Sequence, residues 1–294
     1  MILRLISALA LLLASAPFGI ASSADSLSVM SFNIRYANPG DGAYLWPTRV
    51  DRVCEAIQDY APDILGTQEV LHNQLVDMQQ RLPGYTSVGV AREDGRTQGE
   101  YAALWFRNDR FILADSGNFW LSATPLEAGS LGWDGACVRI ATWARLTDRL
   151  TGRDVLALNT HLDHVGPLAR KLGARLVIST LDSIRSGRDI PVVVTGDFNS
   201  GPEDPVIIDI TSADTPGFLT DSRLTAATLA GPEWTFQDFD RRPLEERDRI
   251  DYIFYRGAIS PASYTTIDRR NAEGLYLSDH CPVYVVFSLT PEAR

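Results

Sequence analysis

Apolar and polar residues alternate with a period of two in short runs along most of the chain, the signature of half-buried strands. Residues 28–35 (SVMSFNIR) are the first such run. Others follow at 101–106, 111–121, 138–146, 155–162, 192–198, 249–256 and 282–289. Val, Ile, Phe, Tyr and Trp dominate them, as pleated surfaces favour. Thr151-Gly152 joins two of these runs as a turn. Between the runs the spacing changes to three and four. Residues 48–60 set Val50, Val53, Ile57 and Tyr60 on one helical face, and Pro62 ends the helix. Residues 167–184 give the best helical stripe, Leu168, Leu172, Leu176, Ile178 and Leu181, with Arg170, Lys171 and Arg175 on other faces. Residues 68–82 give a weaker one. Residues 200–221, rich in Gly, Pro and Asp, read as loop with a short helix. Residues 237–248 carry dense charge of both signs and read as a solvated surface loop. Strands mixed with helices, many strands joined directly, predict an α/β sandwich with mixed sheets rather than a purely parallel doubly wound sheet. No linker or composition shift divides the chain.

The N-terminus departs from this pattern. Arg4 precedes an apolar run from Leu5 to Leu13, then Pro17, Gly19 and the small residues Ala21 to Ala24. This is the charged, apolar and small-residue order of a secretory leader, and the run is too short to span a bilayer. Residues 1–24 are therefore expected to be a cleaved signal peptide, residues 25–294 one domain, and the protein secreted or periplasmic. Cys54, Cys137 and Cys281 are too few for a disulfide framework and lack CxxC spacing, so they read as small buried apolar residues.

Composition narrows the function. The 294 residues are 45% hydrophobic and 22% charged, an ordinary globular balance. The net charge of -10 argues against a broad basic surface for nucleic acid. No exposed apolar hairpin suggests stable membrane association, and a monomer is expected.

Acids, amides and histidines gather at the ends of the predicted strands. Asn33 closes the first. Glu69 follows Gln68. Asn159, His161, Asp163 and His164 fall in NTHLDH, Asp197 and Asn199 in GDFN, Asp251 in RIDYIF, and Asp279 and His280 in SDHCPV. An unpaired carboxylate beside an apolar strand is costly to bury, and a shared divalent cation relieves several at once. His72, in the weaker helix, has no assigned role. The oxygen and imidazole donors, without thiolate, favour Mg²⁺ or Mn²⁺.

SFNIR, TQEV, NTHLDH, GDFN, RIDYIF and SDHCPV, in that order between Ser28 and Phe287, resemble the endonuclease/exonuclease/phosphatase (deoxyribonuclease-I-like) superfamily. The stretches GEYAALWF, SGNFWLS and GWDGACVRIATW are similar to a secreted bacterial branch of it. The resemblance implies a four-layer α/β/β/α sandwich of two mixed β-sheets flanked by helices. It implies Glu69 as principal metal ligand, with Asn33 nearby and Asp279 helping to hold the ion. It implies Asp197 and Asn199 positioning the attacking water, His280 paired with Asp251, and His161 across the phosphate. Arg139 becomes a phosphate-clamp candidate. His164 extends its motif as a substrate-binding candidate, and Tyr101, with Glu100 before it, one at the pocket edge.

The expected activity is hydrolysis of a phosphate ester by direct attack of an activated water, with a phosphodiester as the leading substrate. The alternatives are an extracellular endo- or exonuclease acting on DNA or RNA, a sugar or inositol phosphatase, and a non-catalytic binding module that keeps the fold.

Overall fold

The computed structural model describes residues 25–289, so the expected signal peptide 1–24 lies outside the described residues. The chain runs β1 (Ser26–Asn33), α1 (Trp46–Tyr60), β2 (Ile64–Val70), α2 (His72–Arg81), β3 (Tyr85–Val88), β4 (Tyr101–Arg107), β5 (Phe111–Trp120), β6 (Ile140–Asp148) and β7 (Asp154–His161). It continues with α3 (Pro167–Arg185), β8 (Val192–Asp197), α4 (Pro205–Thr211), β9 (Thr220–Asp221), α5 (Ser222–Thr225), β10 (Thr228–Ala230), β11 (Asp251–Arg256), β12 (Ile259–Thr266) and β13 (Val283–Leu289). One sheet has the order β10-β12-β13-β1-β2-β4-β3 and the other β5-β6-β7-β8-β11-β9. Both are mixed: β1 pairs with β2 and β7 with β8 in parallel, and antiparallel pairs surround them.

Alternation along the strands builds three apolar seams. Met30 and Phe32 of β1 face outward beneath Val50, Val53 and Ile57 of α1 and Met78 of α2. Val29 and Ile64 face inward against Leu146, Val155 and Val193 of the second sheet. Leu156, Leu158 and Val194 pack beneath Val177, Ile178 and Leu181 of α3 and Ile207 and Ile210 of α4. The result is the expected α/β/β/α sandwich. The α3 stripe differs from the sequence reading. Leu168 is 47% exposed, while Ala169, Gly173 and Ala174 turn inward. Small residues there bring the helix close, with Gly173 set against Leu121.

The helix expected over 68–82 starts only at His72, because residues 68–70 complete β2 beside β1. Strand pairing with two neighbours outweighs a weak helical pattern there. Cys54 and Cys281 are buried as expected, but Cys137 is half-buried; all three thiols are free. No helix among the described residues is long and apolar enough to cross a membrane.

A polar seam ties the two sheets together. Asn159 of β7 donates through Nδ2 to the carbonyls of Thr67 and Ala103 at 2.9 and 3.0 Å. Its Oδ1 accepts from Gln68 Nε2 at 2.7 Å and Thr195 Oγ1 at 3.0 Å. Every bonding position of this buried amide is thereby filled. Gly66 makes room for it, since a Cβ there would collide with Thr195 Oγ1 and Asn159 Oδ1. Asn159→Ala is expected to lower the unfolding free energy by about 2–4 kcal/mol, because it removes four buried hydrogen bonds that join the two sheets. Urea denaturation measures this, and a loss below about 1 kcal/mol would contradict it.

Candidate active site

Strand register places the first three polar groups. His161 at the end of β7 lies opposite Asp197 of parallel β8, and Asp197 lies opposite Asp251 of antiparallel β11. These three come from neighbouring strands of the second sheet. From the first sheet, Asn33 ends β1 opposite Gln68. Glu69 follows at a bulge between Thr67 and Val70, with φ 60°. Arg35 and Asn199 also have positive φ, at 60° and 48°. Left-handed backbone in three non-glycine residues around one cluster is the local distortion that functional sites hold in place. The loop carrying His280 is fastened by Cys281 N–H donating to Thr235 carbonyl at 2.7 Å.

The two sheets meet through Asn33. Its Nδ2 donates to Glu69 Oε1 at 3.0 Å and to Asp197 Oδ2 at 2.9 Å, while its Oδ1 accepts from Arg35 N–H at 3.0 Å. Asn33 thus presents its nitrogen to the acids and spaces Glu69 from Asp197. Glu69 Oε2 accepts from Tyr36 N–H at 3.1 Å. Arg35 lies 3.5 Å from Asp279 and 4.0 Å from Glu69, and is itself held by Asp41. Asp197 Oδ1 accepts from Asn199 N–H at 2.9 Å, so these two residues converge through a turn rather than by strand alternation.

The imidazoles differ in charge. Burial opposes a proton on His280. Asp251, 2.8 Å from its Nδ1, and Asp197, 3.7 Å from its Nε2, outweigh burial and push its pKa up to about 10. Burial, with Arg139 and Arg92 nearby, pushes His161 well below its ordinary 6.5. Asn199 Nδ2 donates to His161 Nε2 at 3.0 Å and to Leu162 carbonyl at 3.0 Å. The proton of neutral His161 is then on Nδ1, which meets no acceptor among the described residues. Burial and the charge of Asp251 raise Asp197 to about 7. Burial, with His280 opposing it and Glu69 adding to it, raises Asp279 to about 6.

Glu69, Asp197, Asp279, His161 and His280 line one cavity of about 480 Å³, with Asn199, Phe236, Arg35, Tyr36, Arg92, Glu100, Cys137, Arg139 and His164. Asn33 and Asp251 are buried behind its floor. Arg139 is 5% exposed, and its Nε and Nη1 have no hydrogen-bond acceptor among the described residues. Its Nη2 meets His164 Nδ1 at 3.1 Å; arginine only donates, so His164 accepts there. Arg139 Nε lies 3.8 Å from Asp163 Oδ2. That carboxylate is occupied by the N–H groups of Ala136, Cys137, Val165 and Gly166, which outweigh burial and hold it at about 2. Asp163 is therefore a loop brace. Its proximity to Cys137 and His164 leaves little free donor capacity for an ion.

Tyr101 is the sequence candidate that falls elsewhere. It begins β4 with its side chain in the outer seam. Its hydroxyl donates to Arg96 carbonyl at 2.8 Å and meets His72 Nδ1 at 3.0 Å. Strand alternation sends Glu100 to the cavity and Tyr101 away from it. Arg35, Tyr36, Arg92 and Phe236 line the cavity without having been singled out from sequence; Phe236 packs 4.8 Å from the His280 ring.

Glu69, Asp197 and His280 each offer a ligand atom, all within 4.8 Å of one another. Glu69 and Asp279 share Arg35 as counter-cation, and with Asp197 beside them these carboxylate oxygens suit a hard divalent cation. The sandwich and this cluster define a hydrolase of phosphate esters. The sequence model of the Endonuclease/Exonuclease/phosphatase family matches residues 30–280, and the chain belongs to that family. An endonuclease/exonuclease/phosphatase from Bacteroides vulgatus is 43% identical, with 90% of this chain and 99% of that one covered and a TM-score of 0.85. The Bacteroides thetaiotaomicron mannosyl-6-phosphatase Bt3783 is 35% identical, covering 90% and 100% of the two chains, with a TM-score of 0.82. Human Nocturnin is 27% identical over 91% of this chain and 66% of its own length, so the chain spans about two thirds of that relative. Enzymes of the family are generally divalent-metal dependent.

His280 contributes stability that is fully present below about pH 6.5 and is lost as pH rises through about 10, because its folded pKa is the higher one. In metal-free protein its ring should still be protonated at about pH 8, by NMR titration. Asp251→Asn should bring that titration down toward or below the ordinary imidazole range. An unchanged titration would contradict the pairing.

Proposed function

We propose that the chain is an exported, divalent-metal-dependent phosphatase of small phosphorylated sugars. The observation that carries this reading is one cavity of about 480 Å³ with the acids and imidazoles on its floor and the incompletely paired guanidinium of Arg139 in its wall. Cations at its margin are already matched with acids: Arg242 lies 2.8 Å from Asp248, Arg241 3.5 Å from Asp238, and Arg92 2.6 Å from Glu100. A polymer track needs free cations along the phosphate backbone. The mannosyl-6-phosphatase relative supports the same substrate class. The balance thus moves from the phosphodiester expected on sequence to a monoester. Export rests on the leader pattern of residues 1–24.

Glu69, with Asp279 beside it, is suited to hold Mg²⁺ or Mn²⁺, which when bound would supply Lewis-acid stabilisation of phosphoryl charge. Asp197, between the two imidazoles, takes the proton of the attacking water as the new oxygen–phosphorus bond forms and the ester bond breaks, the sugar oxygen leaving with a proton from solvent water. The His280 imidazolium and the Arg139 guanidinium, with the His161 ring beside them, stabilise the charge on the phosphoryl oxygens. Asn33 and Asn199 fix the acids and His161, and Asp251 keeps His280 charged.

Purified protein is expected to hydrolyse mannose 6-phosphate in Mg²⁺ or Mn²⁺, to lose this in EDTA and to regain it on adding metal. Asp197→Asn should lower kcat by about 10³-fold or more, and Arg139→Ala should lower kcat/KM by about 10²-fold. Single-stranded DNA, RNA and bis-p-nitrophenyl phosphate should be poorer substrates. Cleavage of those compounds with no hydrolysis of sugar phosphates would sink the reading.

A further inference from the structure

Glu100 has no place in the chemistry described above. Its carboxylate has the wrong sign for a phosphoryl oxygen, yet it lines the same cavity. One oxygen, Oε2, accepts from Arg92 Nη1 at 2.6 Å; Oε1 has no hydrogen-bond partner among the described residues. The side chain is 18% exposed. Burial and the nearby charge of Glu69 raise its pKa, so the carboxylate sits there at a cost that Arg92 relieves in part.

The support beneath it is well fixed. Arg92 N–H donates to Glu100 carbonyl at 3.0 Å, and Trp120 Nε1 donates to Arg92 carbonyl at 2.6 Å. Asp94 Oδ1 accepts the N–H groups of Arg96, Thr97 and Gln98, which closes the turn between them. A braced acceptor with open lone pairs, facing a cavity and flanked by the unsatisfied N–H groups of Arg139, fits a ligand that brings O–H donors. Two hydroxyls on adjacent carbons can both reach one carboxylate. A leaving group of that kind is a polyol.

We propose that Glu100, braced by Arg92, is the specificity-determining residue for the leaving group, accepting hydrogen bonds from two neighbouring hydroxyls of the sugar. This rests on the sugar-phosphatase reading and adds the residue that reads the sugar. Losing a charged acceptor for a substrate hydroxyl weakens transition-state binding of the hydroxylated substrate selectively.

The test compares kcat/KM for mannose 6-phosphate with that for p-nitrophenyl phosphate, a monoester without hydroxyls, in wild type, Glu100→Gln and Arg92→Lys. The expected result is a wild-type preference for the sugar ester that falls at least about tenfold in Glu100→Gln, equivalent to about 1.4 kcal/mol. Deoxy analogues of the sugar phosphate, assayed on wild type, should reveal two adjacent hydroxyls whose removal lowers kcat/KM about tenfold each. This series tests the two-hydroxyl contact even if the variants fold poorly, and Glu100→Gln assigns it to the carboxylate. A preference retained in folded Glu100→Gln overturns the proposal while leaving the sugar-phosphatase reading intact. So does a flat deoxy series, or an intact preference with a raised Mg²⁺ requirement, which would make Glu100 a metal ligand. A wild type with no preference for the sugar ester overturns both.

Discussion

The site exists only while two sheets stay in one alignment, and Asn159 is the side chain that keeps them so. Glu69 belongs to β2 in one sheet, and His161, Asp197 and Asp251 belong to strands of the other. Asn159 crosses between them and fills all of its bonding positions there. An apolar seam alone would be non-directional and would tolerate small slips between layers. Hydrogen bonds to the carbonyls of Thr67 and Ala103 do not, because a shift of an ångström breaks them. Asn33 repeats the device closer to the chemistry, with one nitrogen between Glu69 and Asp197.

On this frame the chain concentrates charge that would otherwise unfold it. Asp197, Asp251 and Asp279 are all buried around His280, itself buried. One imidazolium and the guanidinium of Arg35 answer several carboxylates only in part; burial first, and the charges of Asp251 and Glu69 after it, raise the pKa values of Asp197 and Asp279. A divalent cation removes the same excess of negative charge without the protons. Arg139 presents the opposite situation: a buried cation whose nearest acid, Asp163, is already occupied by backbone N–H groups. Surplus negative charge on one side of a cavity and open cationic donors on the other match a metal–phosphate pair. Both are features of stability given up for binding.

Much of this was legible in the sequence because strand ends carry their chemistry in contiguous words. GDFN, RIDYIF and NTHLDH mark adjacent strands, and the register of β7, β8 and β11 then brings Asp197, Asp251 and His161 together. The alternating runs likewise gave the two-sheet sandwich. What failed were features set by tertiary contact. The short strand β10 is fully exposed and has no burial pattern to read. β12 carries Pro261 beside a register shift and so lacks a clean alternation. Asn159 sat in a catalytic-looking motif but serves the seam between sheets. Tyr101 was placed at the pocket edge with Glu100 by proximity in sequence, whereas one residue along a strand reverses the side-chain direction. Arg92 and Phe236 reach the cavity singly, from separate segments, and single residues without a local motif leave no signal; Arg35 closes the SFNIR motif but had no role assigned there.

Convergence of both sheets on one ion and one phosphoryl group is most directly tested by diffraction from crystals grown with Mn²⁺ and inorganic phosphate, using the anomalous signal of manganese. The expected result is one strong anomalous peak beside Glu69, with phosphate between it and the side chains of His161, His280 and Arg139. Manganese bound elsewhere with this cluster vacant, or phosphate held away from both imidazoles, would contradict it.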